Sequence, residues 1–165
     1  MTGRSLTPVP LTRERFAPFG DVIETAEVRS SPMNDVRFSR FDDLCSVDVG
    51  EGRVSVSIAT ARSATSLPYR IDMVERHPLG SQAFIPLSPC RMIVVVAPAS
   101  ESVDAEDLVA FETNGQQGVN YRPGTWHMPL IAFDAGQRFL IIDRAGEAPN
   151  CDEHALDEPV MLEGS

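Results

Sequence analysis

ERHPLGSQAFIP, from Glu75 to Pro86, and GVNYRPGTWHMPL, from Gly118 to Leu130, decide how this chain reads. Each sets a histidine beside Gly and Pro punctuation, and His77 and His127 are two of only three histidines in 165 residues. Leading into the first segment, Tyr69–His77 places Ile71, Met73, Glu75 and His77 on one face of a strand, because side chains alternate with a period of two. Between the two segments, Met92–Ala97 (MIVVVA) is a continuous apolar run, the pattern of a strand buried on both faces. Two histidine-bearing, hairpin-like segments around a hydrophobic strand are what a small β-barrel needs to aim side chains into its own mouth.

Working outward, Arg53–Ala59 (RVSVSIA) alternates Val54, Val56 and Ile58 against Ser55 and Ser57, which predicts a half-buried strand. Further strands are expected at Val109–Glu112, Gly118–Tyr121, Leu130–Phe133 and Arg138–Asp143, with turn signals at Pro78-Leu79-Gly80, Asn114-Gly115, Pro123-Gly124 and Ala135-Gly136. Thr12–Phe19 reads as one short helix capped by Thr12, and Ser102–Leu108 as a capped helical turn. The acidic tail from Cys151 reads as an irregular strap. Short strands at even spacing indicate an all-β fold, a sandwich or barrel with one or two short helices, in a single domain over residues 1–165. The absence of βα alternation excludes a doubly wound nucleotide fold.

A net charge of -10 argues against nucleic acid and against an anionic membrane surface, since both need clustered Lys and Arg. A small anionic substrate stays open, because a few arginines in a pocket outweigh the global field locally. No apolar run approaches the roughly 20 residues of a membrane span, and MTGRSLTPVPLTRERF lacks a secretory leader pattern. Cys45, Cys90 and Cys151 are odd in number and widely spaced, which is no disulfide framework and fits a reducing, cytoplasmic setting.

On a strand, residues i and i+2 share a face at roughly 7 Å, so Glu75 and His77 point together, Gln82 follows across the Pro78–Ser81 turn, and His127 arrives from another strand. The spacing Glu75-x-His77-x4-Gln82, then Gly118-x4-Pro123-Gly124-x-x-His127, resembles the two cupin motifs in degraded form, with Glu for the first His and Gln for the last Glu. One carboxylate, two imidazoles and an amide are donors suited to Zn, Ni, Mn or Fe. Arg76 and Arg144 are candidates to hold a carboxylate bidentately, although alternation turns Arg76 away from Glu75 and His77. Of Asn120 and Tyr121, alternation lets only one face inward as a hydrogen-bonding group. Trp126, the only tryptophan, is a candidate pocket wall.

Over nearly its whole length the chain resembles the ureidoglycolate lyase family, through FAPFGDVIE, ERHPLGSQAFIPL, MIVVVAP, FETNGQQGVNYRPGTWHMPL and FLIIDRAGEAPNCDE. The resemblance implies a cupin-like β-barrel of jelly-roll type and a homodimer. It further implies conversion of (S)-ureidoglycolate to glyoxylate and urea in allantoin breakdown, with a divalent ion such as nickel or zinc. For that reaction Glu75, His77 and His127 are the expected catalytic residues, with His127 or Glu75 taking the hydroxyl proton and the other histidine assisting departure of urea. His77, Gln82 and His127 become the expected metal ligands, and Arg76, Gln82, Asn120, Tyr121, Trp126 and Arg144 the expected substrate contacts. Some members carry a second histidine after the WH pair, where this chain has Met128. Two other readings use the same pocket: a non-catalytic module binding glyoxylate or a related 2-oxo acid, and a cupin isomerase or dioxygenase. The latter would be served poorly by a Glu/His/Gln/His donor set.

Overall fold

The structure, a computed structural model, describes residues 3–165. In chain order its first elements are β1 (Arg4–Leu6), β2 (Val9–Pro10), helix α1 (Arg13–Phe16), β3 (Gly20–Ile23), β4 (Ser31–Met33) and β5 (Phe38–Arg40). Then come β6 (Arg53–Thr60), β7 (Tyr69–Arg76), β8 (Gln82–Pro86) and β9 (Ile93–Ala97). A 3-10 turn at Ala105–Asp107 precedes β10 (Val109–Glu112), β11 (Gly118–Tyr121), β12 (Trp126–His127), β13 (Arg138–Ala145) and β14 (Asp152–Leu162). Two sheets make the body, a seven-stranded one in the order β1-β14-β7-β12-β9-β10-β2 and a five-stranded one in the order β3-β11-β8-β13-β6, while β4 and β5 form a separate hairpin. This is the all-β arrangement the strand spacing predicts, in the cupin-like form the family resemblance implies.

β9 explains how the sheets are held. All five of its residues are buried, and they alternate between two clusters. Val94 and Val96 join Phe16, Val22, Phe84, Phe111, Val119, Tyr121 and Phe139, drawn from both sheets, so this core lies between them. Ile93, Val95 and Ala97 join Val74, Trp126, Val103 and Leu108 in a second cluster, built from the seven-stranded sheet and the segment around the 3-10 turn. A strand with apolar groups on both sides has a continuous apolar sequence for this reason.

Four expectations are corrected. The helix is a single turn, Arg13–Phe16, with the Thr12 side chain accepting from the Arg15 amide; Pro18, which has no amide hydrogen to donate, stands just beyond it. Leu130–Phe133 is not a strand; Ile131 and Ala132 plug the two cores from an irregular segment instead. The acidic tail is the longest strand, β14, paired antiparallel to β7 with a register shift between Ala155 and Val160 and parallel to β1. Val160 and Leu162 anchor it at 0% exposure.

The fourth correction concerns β6. Ala59 lies opposite Phe139, which belongs to the core between the sheets, so the side of Ser55 and Ala59 is the one turned towards the core, with Ser57 between them still exposed. Val54, Val56 and Ile58 are 50%, 66% and 53% exposed. Alternation shows which residues share a face, and packing against β13 decides which face turns in.

Candidate active site

His127 reaches its place through a two-residue strand. β12 is wedged between β7 and β9, with His127 in register with Glu75 on one side and Val96 on the other. Its approach is a turn at Pro123-Gly124, where Gly124 takes φ +81°, a backbone conformation that glycine adopts without a Cβ clash. The Gly124 amide donates to the His77 carbonyl at 2.9 Å, tying the two histidine segments together.

The result is a tight cluster. The His77 and His127 ring centroids are 5.1 Å apart. Glu75 Oε1 lies 3.5 Å from His127 Nε2 and 4.0 Å from His77 Nε2. Tyr121 on β11 stacks on His127 with centroids 4.4 Å apart and planes 18° apart, bridging the sheets. Tyr121 is thus the inward member of its pair. Asn120 faces the other way, donating to Asp21 Oδ2 and the Ser46 carbonyl.

Hydrogen-bond directions define what each ring offers. His77 Nδ1 donates to the Asn150 carbonyl at 2.7 Å, and a carbonyl can only accept. Gln82 donates its amide nitrogen to Asp143 Oδ2 at 3.2 Å, leaving its oxygen 3.1 Å from His77 Nε2. His77 therefore presents Nε2–H as a donor. His127 Nδ1 donates to the Thr125 carbonyl at 3.0 Å, and its Nε2 is buried without a hydrogen-bond partner although it faces a carboxylate. The His127 contact, more than any other, holds the Glu75 carboxyl below the usual glutamate range against the opposing effect of burial. Glu75 is accordingly an anion and an acceptor at neutral pH. Burial and the nearby Glu75 charge push the Tyr121 phenol far up, so it stays neutral.

A cleft of about 590 Å³ opens beside the cluster, lined by His77, Ser81, Asp143, Arg144, Arg53 and Cys151 among others. His127, at 1% exposure, is buried and does not line the cleft itself. Burial, then the carboxylates of Glu75, Glu153 and Asp152, raise the Cys151 thiol, so it lies in the cleft as a thiol and not as a nucleophilic thiolate. Donor atoms of Glu75, His77 and His127 all lie within 4.8 Å of one another. A buried imidazole nitrogen without a well-formed hydrogen bond, 3.5 Å from a carboxylate, fits a divalent ion, and these three residues can hold one. Gln82, also expected as a ligand, places its side-chain oxygen 3.1 Å from His77 Nε2.

Arg76 and Trp126 stand apart from the cleft. Arg76 lies on the other face of β7, 4.8 Å from the Trp126 ring centroid and paired with Asp152 at 2.9 Å. Three contributors were missed in the sequence: Asp143, Arg53 and the Asn150 carbonyl. For Asp143 a signal existed, since it is the one carboxylate ending the apolar run FLIID. A backbone carbonyl 73 residues away from His77 leaves none.

Fold and site together define a cupin-like barrel with a carboxylate–imidazole cluster in its mouth. A family model described as ureidoglycolate lyase matches residues 3–163, and the chain belongs to that family. It is 47% identical over 161 residues to a ureidoglycolate lyase of Burkholderia mallei (strain NCTC 10229), covering 96% of this chain and 94% of that protein. With a ureidoglycolate lyase of Pseudomonas putida (strain W619) it shares 44% identity over 160 residues, 96% of each chain. Among solved structures it is similar to a dTDP sugar isomerase from Desulfovibrio desulfuricans G20, at TM-score 0.46 and 16% identity, over 85% of this chain and 87% of that one.

Proposed function

We propose that this chain is a ureidoglycolate lyase that eliminates urea from (S)-ureidoglycolate to leave glyoxylate, in allantoin breakdown and in the cytoplasm. The observation that carries the reading is the convergence of Glu75, His77 and His127 in a chain matched from residue 3 to residue 163 by that family.

The substrate carries a carboxylate, a hydroxyl and a ureido nitrogen on one carbon. Elimination removes the hydroxyl proton, forms the C=O bond, breaks the C–N bond and delivers a proton to the departing nitrogen. Glu75, ionised and half-buried, accepts the hydroxyl proton; its Oε2 lies 3.9 Å from the Sγ of Cys151, a cleft residue. His77, whose Nε2–H is held in place by Gln82 and Asp143, donates to the urea nitrogen. His127 supports Glu75 from behind. Acid–base help of this kind is worth about 10²–10⁴-fold. As an alternative to that proton-donor arrangement, Glu75, His77 and His127 would hold a nickel or zinc ion with His77 Nε2 deprotonated, and the ion when bound would supply Lewis-acid polarisation of the substrate oxygens.

The enzyme works as a homodimer in this reading, with a second copy covering the outer face of β6. β6 is an edge strand with Val54, Val56 and Ile58 exposed, and pairing with its own copy is self-complementary under two-fold symmetry. The test of the function is incubation of the purified protein with (S)-ureidoglycolate, following glyoxylate, urea and ammonia. Equimolar glyoxylate and urea are expected. Ammonia in place of urea would mean amidohydrolase chemistry, and glyoxylate binding without turnover would leave a binding module.

A further inference from the structure

Two arginines border the cleft, Arg53 and Arg144. Neither has a carboxylate within 4.0 Å among the described residues, in a protein of net charge -10. Arg53 opens β6 opposite Ala145, so it shares the face of Asp143, which holds Gln82. Arg144 is the next residue along, and its Nε is buried without a hydrogen-bond partner. Among the described residues its side chain makes one hydrogen bond, a long one, with Nη1 donating to the Ala148 carbonyl at 3.5 Å.

What encloses Arg144 is a sleeve of three glycines from three separate loops. A Cβ on Gly80 would stand 2.8 Å from Arg144 Cβ, one on Gly52 2.7 Å from Nε, and one on Gly146 2.7 Å from Nη2. None of the three has the positive φ that demands glycine on backbone grounds, unlike Gly50, Gly124 or Gly136. A Cβ on Gly52 would also meet the Ala145 carbonyl at 2.7 Å and one on Gly80 the Asp48 carbonyl at 3.0 Å, whereas the three nearest atoms to one on Gly146 all belong to Arg144, so Gly146 supplies room for the arginine outright and the other two in part. A long cation sleeved along its stem, with no carboxylate partner and with its head at a cleft, is pre-organised to meet an anion. The acidic cleft residues oppose this only in part, since Asp143 is occupied by Gln82 and Glu147 pairs with neither arginine within 4.0 Å.

We infer that Arg144, aimed by the sleeve of Gly52, Gly80 and Gly146, and Arg53 beside it form the carboxylate-binding end of the cleft. The substrate's carboxylate is gripped there while its hydroxyl and ureido nitrogen face Glu75 and His77. This rests on the ureidoglycolate reading for the substrate's identity, but not for its charge.

Three variants test it. Arg53→Ala and Arg144→Ala remove the charges. Gly146→Ala keeps both charges and pushes on the flexible end of Arg144 alone, where the sleeve yields without a backbone clash. Each should raise KM for ureidoglycolate about 10–100-fold, the range of a charge-assisted contact, with kcat changed far less and the thermal transition retained. In parallel, calorimetric titration with glycolate and with its uncharged counterpart glycolamide reads the site without turnover. Wild type should take up glycolate and not glycolamide, and the variants should lose glycolate. Wild-type KM or glycolate affinity in either arginine variant overturns the pair, and so does equal binding of glycolamide. Unchanged behaviour in Gly146→Ala overturns the sleeve. If wild type binds glycolate through the arginines but releases no urea, the clamp stands and the lyase reading falls.

Discussion

His127→Asn separates what His127 does for the fold from what it does for chemistry. The asparagine amide takes the place of Nδ1–H and keeps the 3.0 Å bond to the Thr125 carbonyl, while Nε2 disappears. Lost with it is the stack on Tyr121 at 4.4 Å, worth about 0.5–1.5 kcal/mol, and a small cavity adds about 1 kcal/mol. Against this, removing a buried ring nitrogen that has no hydrogen-bond partner returns about 1–3 kcal/mol. The two sides nearly cancel, so urea unfolding should place the variant within about 2 kcal/mol of wild type. Glyoxylate release should fall about 10²–10⁴-fold. If His127 were instead an imidazolium locked to Glu75, removing it would strand a half-buried carboxylate and destabilise by about 3–5 kcal/mol. That larger loss would refute the reading that Nε2 makes no strong bond in the fold. Turnover within a few-fold of wild type, in a folded variant, would remove His127 from the mechanism.

Asp143→Ala frees the Gln82 amide that aligns His77, so kcat should drop about 10–100-fold with an altered pH–rate profile; an unchanged profile would leave Asp143 without a positioning role. Wild-type protein, stripped with a chelator and titrated with zinc or nickel, should bind one ion through the Glu75, His77 and His127 set. His127→Asn should bind it at least about 10-fold more weakly, and equal affinity would place the ion elsewhere. The Arg91 hydrogen bond holds the Glu112 carboxyl below the usual range. Its contribution is therefore full above the unfolded value of about 4.3 and fades as pH falls through the lower folded one. Glu112→Gln should accordingly be less stable than wild type at pH 7 and converge on it in strong acid; a gap independent of pH would contradict the shift. Val56→Lys, on the exposed face of β6, should turn a dimer into a monomer by sedimentation while preserving the fold.

The strands with the plainest periodicity were visible as text. β9 is legible because a strand between two clusters has no polar face to interrupt it. Glu75 and His77 were legible as a pair because two residues on one strand share a face whatever the strand packs against. The tail was misread since its apolar anchors, Val160 and Leu162, lie beyond an acidic stretch and a register shift that break the period. The faces of β6 were misread for a related reason: the side that turns in carries Ser55, Ser57 and Ala59, and only Phe139 across the ladder shows that it does.

By itself, then, the order of residues determined an all-β chain, the two histidine segments, and the family those segments belong to, because each depends on local spacing. Tertiary structure decided the rest. Register with β7 and β9 brings His127 to Glu75, and a carbonyl from Asn150 sets the donor on His77. Three loops leave just enough room for one arginine. These are distances between segments far apart along the chain, set when the two sheets close on their shared core, and nothing in the neighbouring letters encodes them.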